Sequence, residues 1–319
     1  MCSPFQGQRE IFVMKILITG GAGFIASHIQ DAYIAAGHEV AIVDNLVSGN
    51  KRNLNPQAKF YEEDINSPKI QEIFKSFKPD LVNHHAAQMD VRRSVSDPSY
   101  DAQVNVLGFI NLLEAAKNNG VNKFIFASSG GAIYGEQNYF PADEKHPRKP
   151  ASPYGLTKLV GEEYLALYER LYGIQYVALR YANIYGPRQN PHGEAGVVAI
   201  FCQKLLAGQV PIINGDGKQT RDYVFVSDVV KANVTALDPK IQGVYNIGTG
   251  LESDVNDLAD ILAKLAGKGQ FEHGPAKTGE QRRSVIDASQ AGKTLNWKPE
   301  VKLEEGLKQT FDWFKKSVA

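Results

Sequence analysis

The sequence predicts an α/β protein built on a doubly wound parallel sheet, with a smaller C-terminal lobe. Short apolar runs alternate with helical segments through the first 180 residues, which is typical of buried parallel strands joined by helical crossovers. After Tyr181 the pattern changes to loops rich in proline and glycine, which indicates a second lobe facing the strand ends. A chain of 319 residues allows two such units, at roughly 150 residues each.

The predicted elements follow the chain in order. The strands are KILITG (15–20), EVAIVDN (39–45), KPDLVNHHAA (78–87), KFIFASS (123–129) and IQYVALRY (174–181). Helices are expected over 24–36, in the segment that ends before Gly120, and over 153–172. A strand–helix unit (223–232) and GVYNIGTG (243–250) are expected to return to the main sheet. We therefore expect a sheet domain over 14–180 with these returning segments, and a lobe over 181–222 and 251–319.

Charge and composition argue against several classes of protein. The 35 basic and 35 acidic residues leave no basic excess of the kind that nucleic-acid binders use on phosphates. Cys2 and Cys202 are too few for a disulfide framework or a cysteine metal site, and the histidines lack metal-ligand spacing. No apolar run approaches the ~18 residues of a membrane span, and residues 1–13 do not resemble a secretory signal. We expect a cytoplasmic protein without metal, and start the site at Met14.

A glycine-rich turn follows the first predicted strand. Gly20 and Gly23 begin a G-x-x-G-x-x-[GA] pattern, in which backbone amides and a helix N-terminus can approach a pyrophosphate. A tight structural turn is the alternative, but Asp44 ends the second strand, where a carboxylate accepts both ribose hydroxyls and repels a 2′-phosphate. The pattern predicts a Rossmann-type domain that binds NAD. Lys51 and Arg52 keep NADP open, although solvated surface charge is the interpretation that we favour.

A tyrosine and a lysine four residues apart open the helix predicted after Pro153. Tyr154 and Lys158 therefore lie on one face, one turn apart. An ammonium close to a phenol favours the phenolate and lowers a pKa that is otherwise near ~10. Such a pair is usually an ordinary surface pair, but the dinucleotide motif upstream changes the interpretation. We interpret Tyr154 as the catalytic base, with Lys158 also able to hold a ribose hydroxyl.

The chain resembles the extended short-chain dehydrogenases/reductases that modify nucleotide sugars, from Met14 to Ala319, and among them the UDP-glucose (UDP-galactose) 4-epimerases. The segments that carry this resemblance are GGAGFIASH (20–28), DNLVSGN (44–50), HHAAQMDVRRSVSDP (84–98), SSGGAIYG (128–135), SPYGLTKLVGE (152–162), LRYANIYGPRQ (179–189) and TRDYVFVSDV (220–229). So many motifs in order are specific for the superfamily and less so for the epimerases.

The resemblance implies a set of residues around NAD. These are Gly20, Gly23, Phe24, Ile25, Asp44, Asn45, Leu46, Ser48, Gly49, Asp64, Ile65, His85, Ala86, Ala87, Gln88, Asn105, Ser128, Tyr154, Lys158, Tyr181 and Ala182. Asp64 and Ile65 would border the adenine, and Ala182 the nicotinamide. We interpret His85 as a packed wall of this site rather than as a base or ligand.

The resemblance also implies a UDP-sugar site. Its residues would be Gly130, Tyr154, Asn183, Val198, Asn214, Arg221, Lys277, Glu280 and Ser284. Arg221 would contact the diphosphate, since a guanidinium suits phosphate oxygens. Glu280 would accept the uridine ribose hydroxyls, and Val198 and Asn214 would line the uridine side. Lys277 stands where related proteins carry a diphosphate-binding arginine, and Arg282 or Arg283 could compensate for the lost bidentate fork.

Four positions depart from the family's pattern or discriminate within it. Gly130 replaces the Ser or Thr that relays the proton of the sugar 4-OH, so we expect water or Tyr154 itself to take that role at a lower rate. Gly131 and Ala132 replace the Asp-Glu pair of 4,6-dehydratases, which argues for epimerisation. Ser284 stands at the position that gates sugar size, so N-acetylated sugars are expected to fit.

The expected activity is NAD-dependent 4-epimerisation of UDP-galactose and UDP-glucose, and of the N-acetylated hexosamines, through a transient 4-keto sugar. A UDP-uronate 4-epimerase or another member of the same branch is the first alternative, although the sequence shows no clear extra cation for a C6 carboxylate. A non-catalytic NAD-binding scaffold is the distant one, against which the Tyr154–Lys158 pair argues. A homodimer through helices near 106–118 and 153–172 is typical of the family.

Overall fold

The structure is a computed structural model that describes residues 13–192, 196–267, 270–276 and 281–318. In this part of the chain, one large sheet contains the strands β1 Lys15–Thr19, β2 Glu39–Asp44, β3 Lys59–Glu62, β4 Leu81–His84, β5 Lys123–Ser129, β6 Gln175–Tyr181 and β11 Gly243–Ile247. All of its pairings are parallel, and the strand order is β11-β6-β5-β4-β1-β2-β3. The chain adds β2 and β3 on one side of β1 and then β4, β5, β6 and β11 on the other, which confirms the doubly wound sheet.

Helices cover both faces of the large sheet. One face carries α1 Phe24–Ala35, α9 Val226–Thr235 and α11 Ser289–Leu295, and the other carries α2 Ile70–Phe77, α5 Gly108–Asn118 and α7 Pro153–Tyr172. Ile16 and Ile18 pack in the first layer, whereas Leu17 between them packs in the second. This burial on both faces explains why the strands read as continuous apolar runs rather than as alternating ones.

Shorter elements connect these layers. They are a 3-10 turn Lys51–Asn53, α3 Val91–Ser96, α4 Pro98–Ala102, a π-helical turn Gln103–Leu107 that continues into α5, and α6 Gly130–Ile133. The structure describes no helix that is long and apolar enough to cross a membrane.

A second group of elements lies beyond the end of β6. It contains β7 Asn183–Tyr185, α8 Val197–Leu206, β8 Ile212–Asn214, β9 Thr220–Arg221, β10 Tyr223–Phe225, β12 Ser253–Asp254, α10 Val255–Ala266, β13 Glu272–Gly274, β14 Arg283–Ser284 and α12 Leu303–Val318. Helices α8, α10 and α12 share a hydrophobic core with β7 and β10. The carboxyl ends of the parallel strands face this group, which is where ligands bind in such sheets.

One expectation about the returning segments is confirmed and one is wrong. Strand β11 joins the large sheet beside β6, as expected for residues 243–250. Strand β10 does not, because it pairs with β7 in a separate two-stranded sheet. The helix that follows it, α9, packs on α1 and so does return to the sheet domain. Local sequence indicates that a segment is a strand but not which strand it pairs with.

Candidate active site

The glycine turn between β1 and α1 has a backbone that only glycine tolerates. Gly20 has φ +71°, and a Cβ on it would lie 2.6 Å from the backbone nitrogen of Ala86. The amide of Gly23 donates to the carbonyl of Gly20 at 3.0 Å, and helix α1 begins at the next residue. Among the described residues no side chain caps α1, and its first turn carries no acidic group. This exposed helix N-terminus fits a pyrophosphate.

Asp44 is held in position by the glycine turn. Its carboxylate accepts the amide of Ala22 at 3.0 Å and the amide of Leu46 at 2.8 Å. Burial raises its pKa, and the two amide hydrogen bonds oppose that rise. An ionised carboxylate offers about four lone-pair sites, so two remain for ribose hydroxyls. Lys51, the alternative partner for a 2′-phosphate, is paired instead with Glu62 at 2.7 Å.

The loops after β2 and β3 lie side by side next to the glycine turn. Gly49 passes so close to Asp44 that a Cβ would lie 2.8 Å from Oδ1, and Ser48 beside it is exposed. The side-chain amide of Asn45 donates to Asp64 at 2.6 Å, while Ile65 is buried. Asn45 and Asp64, both expected near NAD, are therefore in direct contact, while the contact with adenine stays a prediction.

His85 is a partly buried ring immediately after the end of β4. Its Nε2 lies 3.2 Å from the Tyr181 hydroxyl, which also accepts the side-chain amide of Asn233. Burial, together with the nearby charge of Lys158, lowers the pKa of His85 to about 3. A ring of such low pKa is a weak base, which supports the interpretation of His85 as a packed wall rather than as a base.

A buried hydrogen-bond network, which sequence reasoning missed, ties the β4 loop to α7. The amide of Gln88 donates to Asn105 at 2.8 Å, and the Asn105 side chain returns a bond to the Gln88 carbonyl at 2.9 Å. Both side chains also donate to Asp101, whose other oxygen accepts the hydroxyl of Thr157 at 3.0 Å. The loop that contains Ala86 and Ala87 is thereby fixed to the helix that carries Tyr154 and Lys158.

Helix α7 brings Tyr154 and Lys158 together as their spacing predicts. The Ser152 hydroxyl accepts the amide of Gly155, which caps the helix immediately before Pro153. The Lys158 ammonium donates to the carbonyl of Ala127 at 2.9 Å and lies 5.8 Å from the centre of the Tyr154 ring.

The position of Lys158 determines its charge. Burial lowers its pKa to about 8, and the carboxylate of Asp101 opposes that fall. Lys158 therefore remains mostly cationic at neutral pH, and a cation beside a phenol favours the phenolate form of Tyr154.

A buried ion pair lies one turn further along the same face of α7. The Glu162 carboxylate accepts hydrogen bonds from Arg180 Nε at 2.9 Å, from Arg180 Nη2 at 2.6 Å and from the Ser128 hydroxyl at 2.6 Å. Arg180 also donates to the Tyr134 hydroxyl at 2.9 Å. The side chain of Ser128, expected near NAD, is therefore directed to Glu162. Sequence reasoning missed this ion pair. Its only signal in the sequence is that Glu162 follows Lys158 by four residues, which places both on one face of the helix.

The residues expected at the UDP-sugar are placed on the lobe side. Asn183 starts β7 and is exposed, next to Ala182, while Arg221 and Ser284 are register partners in β9 and β14. Ser284 is buried, and Asn214 ends β8. Val198 lies on α8, and its side chain is buried in the hydrophobic core that α8 shares with α10 and α12. Lys277 and Glu280 lie outside the described residues.

The two arginines considered as substitutes for a diphosphate ligand are already bound to carboxylates. Arg282 makes two bonds to Asp216, at 2.7 and 2.8 Å, and Arg283 makes a forked contact with Glu252. The Arg283 guanidinium also stacks 3.9 Å from the centre of the Phe140 ring. Both guanidinium groups thus have carboxylate partners in this structure, and compensation at the diphosphate stays a prediction.

Asp222 is a further residue that sequence reasoning missed. It is 2% exposed, and its Oδ1 accepts the amide and the hydroxyl of Thr249 at 2.8 and 2.6 Å. Its Oδ2 accepts the amide of Gly250 at 3.1 Å. Burial raises the pKa of Asp222 against these bonds. The carboxylate joins the β9–β10 turn to the loop after β11, and so connects the lobe to the sheet.

Comparison with known proteins places the chain in a family. The model of the NAD dependent epimerase/dehydratase family matches residues 16–248. The UDP-glucose 4-epimerase of Mycolicibacterium smegmatis is 44% identical over 309 residues, covering 95% of this chain and 99% of that protein. The crystal structure of Thermotoga maritima UDP-glucose 4-epimerase with UDP-glucose is 47% identical, with a TM-score of 0.94 over 96% of this chain and 100% of that one.

A further solved structure bears on the cofactor. The Thermus thermophilus UDP-glucose 4-epimerase, in complex with NAD, is 43% identical, with a TM-score of 0.90 over 95% of this chain and 99% of that one. The glycine turn at Gly20 and the oriented carboxylate of Asp44 fit such a dinucleotide. The chain is thus a member of the NAD dependent epimerase/dehydratase family.

Proposed function

We propose that the protein interconverts UDP-galactose and UDP-glucose by epimerisation at C4. The observation that carries this proposal is the geometry of Tyr154 and Lys158. Lys158 lies near His85, beside the loop that contacts the glycine turn, and that turn with Asp44 fits NAD. The similarity to UDP-glucose 4-epimerases across 95% of the chain or more supports the same substrate class.

The proposed mechanism assigns one role to each residue. NAD, which the glycine turn and Asp44 would hold, would supply the hydride acceptor for C4 and the donor that reduces the 4-keto sugar on its other face. Tyr154 removes the proton of the 4-OH and later returns it, while the Lys158 ammonium favours the phenolate. The carbonyl of Ala127 fixes Lys158 beside that ring. Gly131 and Ala132 supply no acid or base for dehydration, so the keto sugar is reduced again.

The test is proton NMR of the purified protein with UDP-galactose and no added NAD. We expect UDP-glucose to appear, because a reaction without net oxidation leaves NAD bound between turnovers. Tyr154→Phe should abolish turnover and leave UDP binding nearly unchanged, since only the proton-transfer group is removed. Silence of the wild-type protein after NAD is added, or substantial activity of Tyr154→Phe, contradicts the proposal.

N-acetylated UDP-hexosamines are proposed as further substrates. Ser284 is a small residue in β14, in register with Arg221. We expect the wild-type protein to epimerise UDP-N-acetylglucosamine, and Ser284→Tyr to lose that activity selectively because the larger ring fills the space of the acetyl group. Ser284→Ala is the matched control. Failure of both the wild-type protein and Ser284→Ala on the N-acetylated sugar would refute this extension.

A homodimer and a cytoplasmic location in galactose metabolism belong to the same proposal. Apolar side chains on or next to α5 and α7 are exposed, among them Leu107, Leu156, Leu171 and Tyr172. A second copy of the chain would bury these side chains, which are exposed to water in the monomer. Sedimentation should show a dimer that Leu171→Glu dissociates, and a monomeric wild-type protein contradicts the proposal. Cell fractionation tests the cytoplasmic location.

A further inference from the structure

The strongest unexplained feature beside the catalytic pair is the packing of Ile286 on two glycines. A Cβ on Gly130 would lie 2.9 Å from Cδ1 of Ile286 and 3.2 Å from its Cγ2. A Cβ on Gly248 would lie 2.7 Å from Cγ1 of the same side chain. Ile286 is 1% exposed. It therefore fills the space into which a side chain at position 130 would extend.

The backbone of Ile286 has little freedom to move away. The residues on either side of it bond to Ala142, whose amide donates to Val285 at 3.0 Å and whose carbonyl accepts Asp287 at 2.8 Å. A bridge pairs Ile286 itself with Ala142. The side chain packs in a small core that also contains Ile133 and Tyr134. A conflict at position 130 must therefore be relieved by the side chain of Ile286 rather than by its backbone.

The neighbouring glycine is different. A Cβ on Gly131 would meet only Asn183 Oδ1, at 3.8 Å, which is an ordinary contact. The restriction is therefore specific to position 130. It coincides with the place where the sequence lacks the hydroxyl that related proteins use for proton relay.

We propose that Ile286 is a positioning residue paired with Gly130, whose bulk excludes a relay hydroxyl at position 130 and leaves the sugar 4-OH to exchange its proton with Tyr154 directly. The inference rests on the proposed epimerase function. A larger residue at position 130 requires a smaller one at position 286. Ile286→Val removes Cδ1, the atom nearest to the added Cβ, and is therefore the minimal compensating change.

The test is a double-mutant cycle with Gly130→Ser and Ile286→Val, read by melting temperature and by turnover of UDP-galactose. Overpacking by Gly130→Ser should lower Tm by about 3–6 °C and kcat by about tenfold. The double variant should recover most of the Tm and reach a kcat above that of Ile286→Val alone, with little change in KM, because a relay group acts on the chemical step. Gly131→Ser is the control and should not respond to Ile286→Val.

Three results distinguish the ideas. Additive effects of the two substitutions on Tm overturn the pairing of Gly130 with Ile286. Recovery of Tm with a kcat no higher than that of Ile286→Val overturns the relay part. The Tm cycle needs no turnover, so an inactive wild-type protein would refute the proposed function without deciding the pairing. If Gly130→Ser does not fold, Gly130→Ala runs the same Tm cycle.

Discussion

Removing the carboxylate of Glu162 should destabilise the protein far more than removing that of its neighbour Glu163. Glu162 and Arg180 are each 3% exposed, and Glu162→Ala leaves the guanidinium buried without its two carboxylate bonds. Breaking a buried pair in this way costs about 3–5 kcal/mol, or a fall in Tm of roughly 6–10 °C for a chain of this size. The Ser128 hydroxyl loses its acceptor as well.

The adjacent ion pair provides the matched control. Glu163 contacts Arg148 at 2.7 Å, but the two side chains are 59% and 40% exposed. Exposed pairs contribute about 0–1 kcal/mol, so Glu163→Ala should shift Tm by no more than ~2 °C. Thermal unfolding of both variants by circular dichroism, with NAD bound, measures the difference. Equal Tm values for the two variants would refute the argument that the buried pair stabilises α7 against β5 and β6.

Three other changes have expected outcomes. Gly20→Ala should reduce the NAD content of the purified protein, because its Cβ would meet backbone at 2.6 Å; Gly37→Ala, also at positive φ but in open space, should keep NAD, and equal loss in both refutes the role of crowding. In the cofactor-free protein the pKa of Lys158 is about 8, against 10.5 in the unfolded chain, so between these pH values the unfolded state binds more protons than the folded one. The free energy of unfolding, measured by urea titration, should therefore rise with pH over this range by up to ~3 kcal/mol relative to that of Lys158→Met. A difference between the two proteins that does not change with pH contradicts this prediction. Asp222→Asn should cost about 1–3 kcal/mol, since its amide would face N–H donors, and an unchanged Tm counts against it.

The features predicted well from the sequence are those with local causes. Helix α7 runs over the expected 153–172, because Ser152 and Pro153 are a start signal and Gly173 ends it in the left-handed region. The expected strand over 123–129 is β5. The spacing of Tyr154 and Lys158 determines their common face once the helix is known.

The features that were missed or wrong depend on contacts between distant segments. Strand β10 has an ordinary strand sequence, but its partner is β7 rather than the large sheet. Asp101 bonds to Thr157, 56 residues away, and Ile286 packs on Gly130, which lies much earlier in the chain. Nothing in the residues near Asp101 or Ile286 indicates these partners, since side-chain complementarity across the fold has no periodic signature.

The position of β14 and Ile286 late in the chain has a consequence for the order of assembly during synthesis. Six strands of the large sheet in the described structure, the glycine turn and α7 are complete by Tyr181. The edge strand β11 and the strand that carries Ser284 are made later, and contacts over such sequence separations form slowly. A nascent chain that ends before Arg283 already contains the glycine turn and the Tyr154–Lys158 pair, but it lacks β14 and Ile286. The face of the sheet that α9 and α11 cover, and the packing of Ile286 on Gly130, are therefore completed only when the later half of the chain has been made.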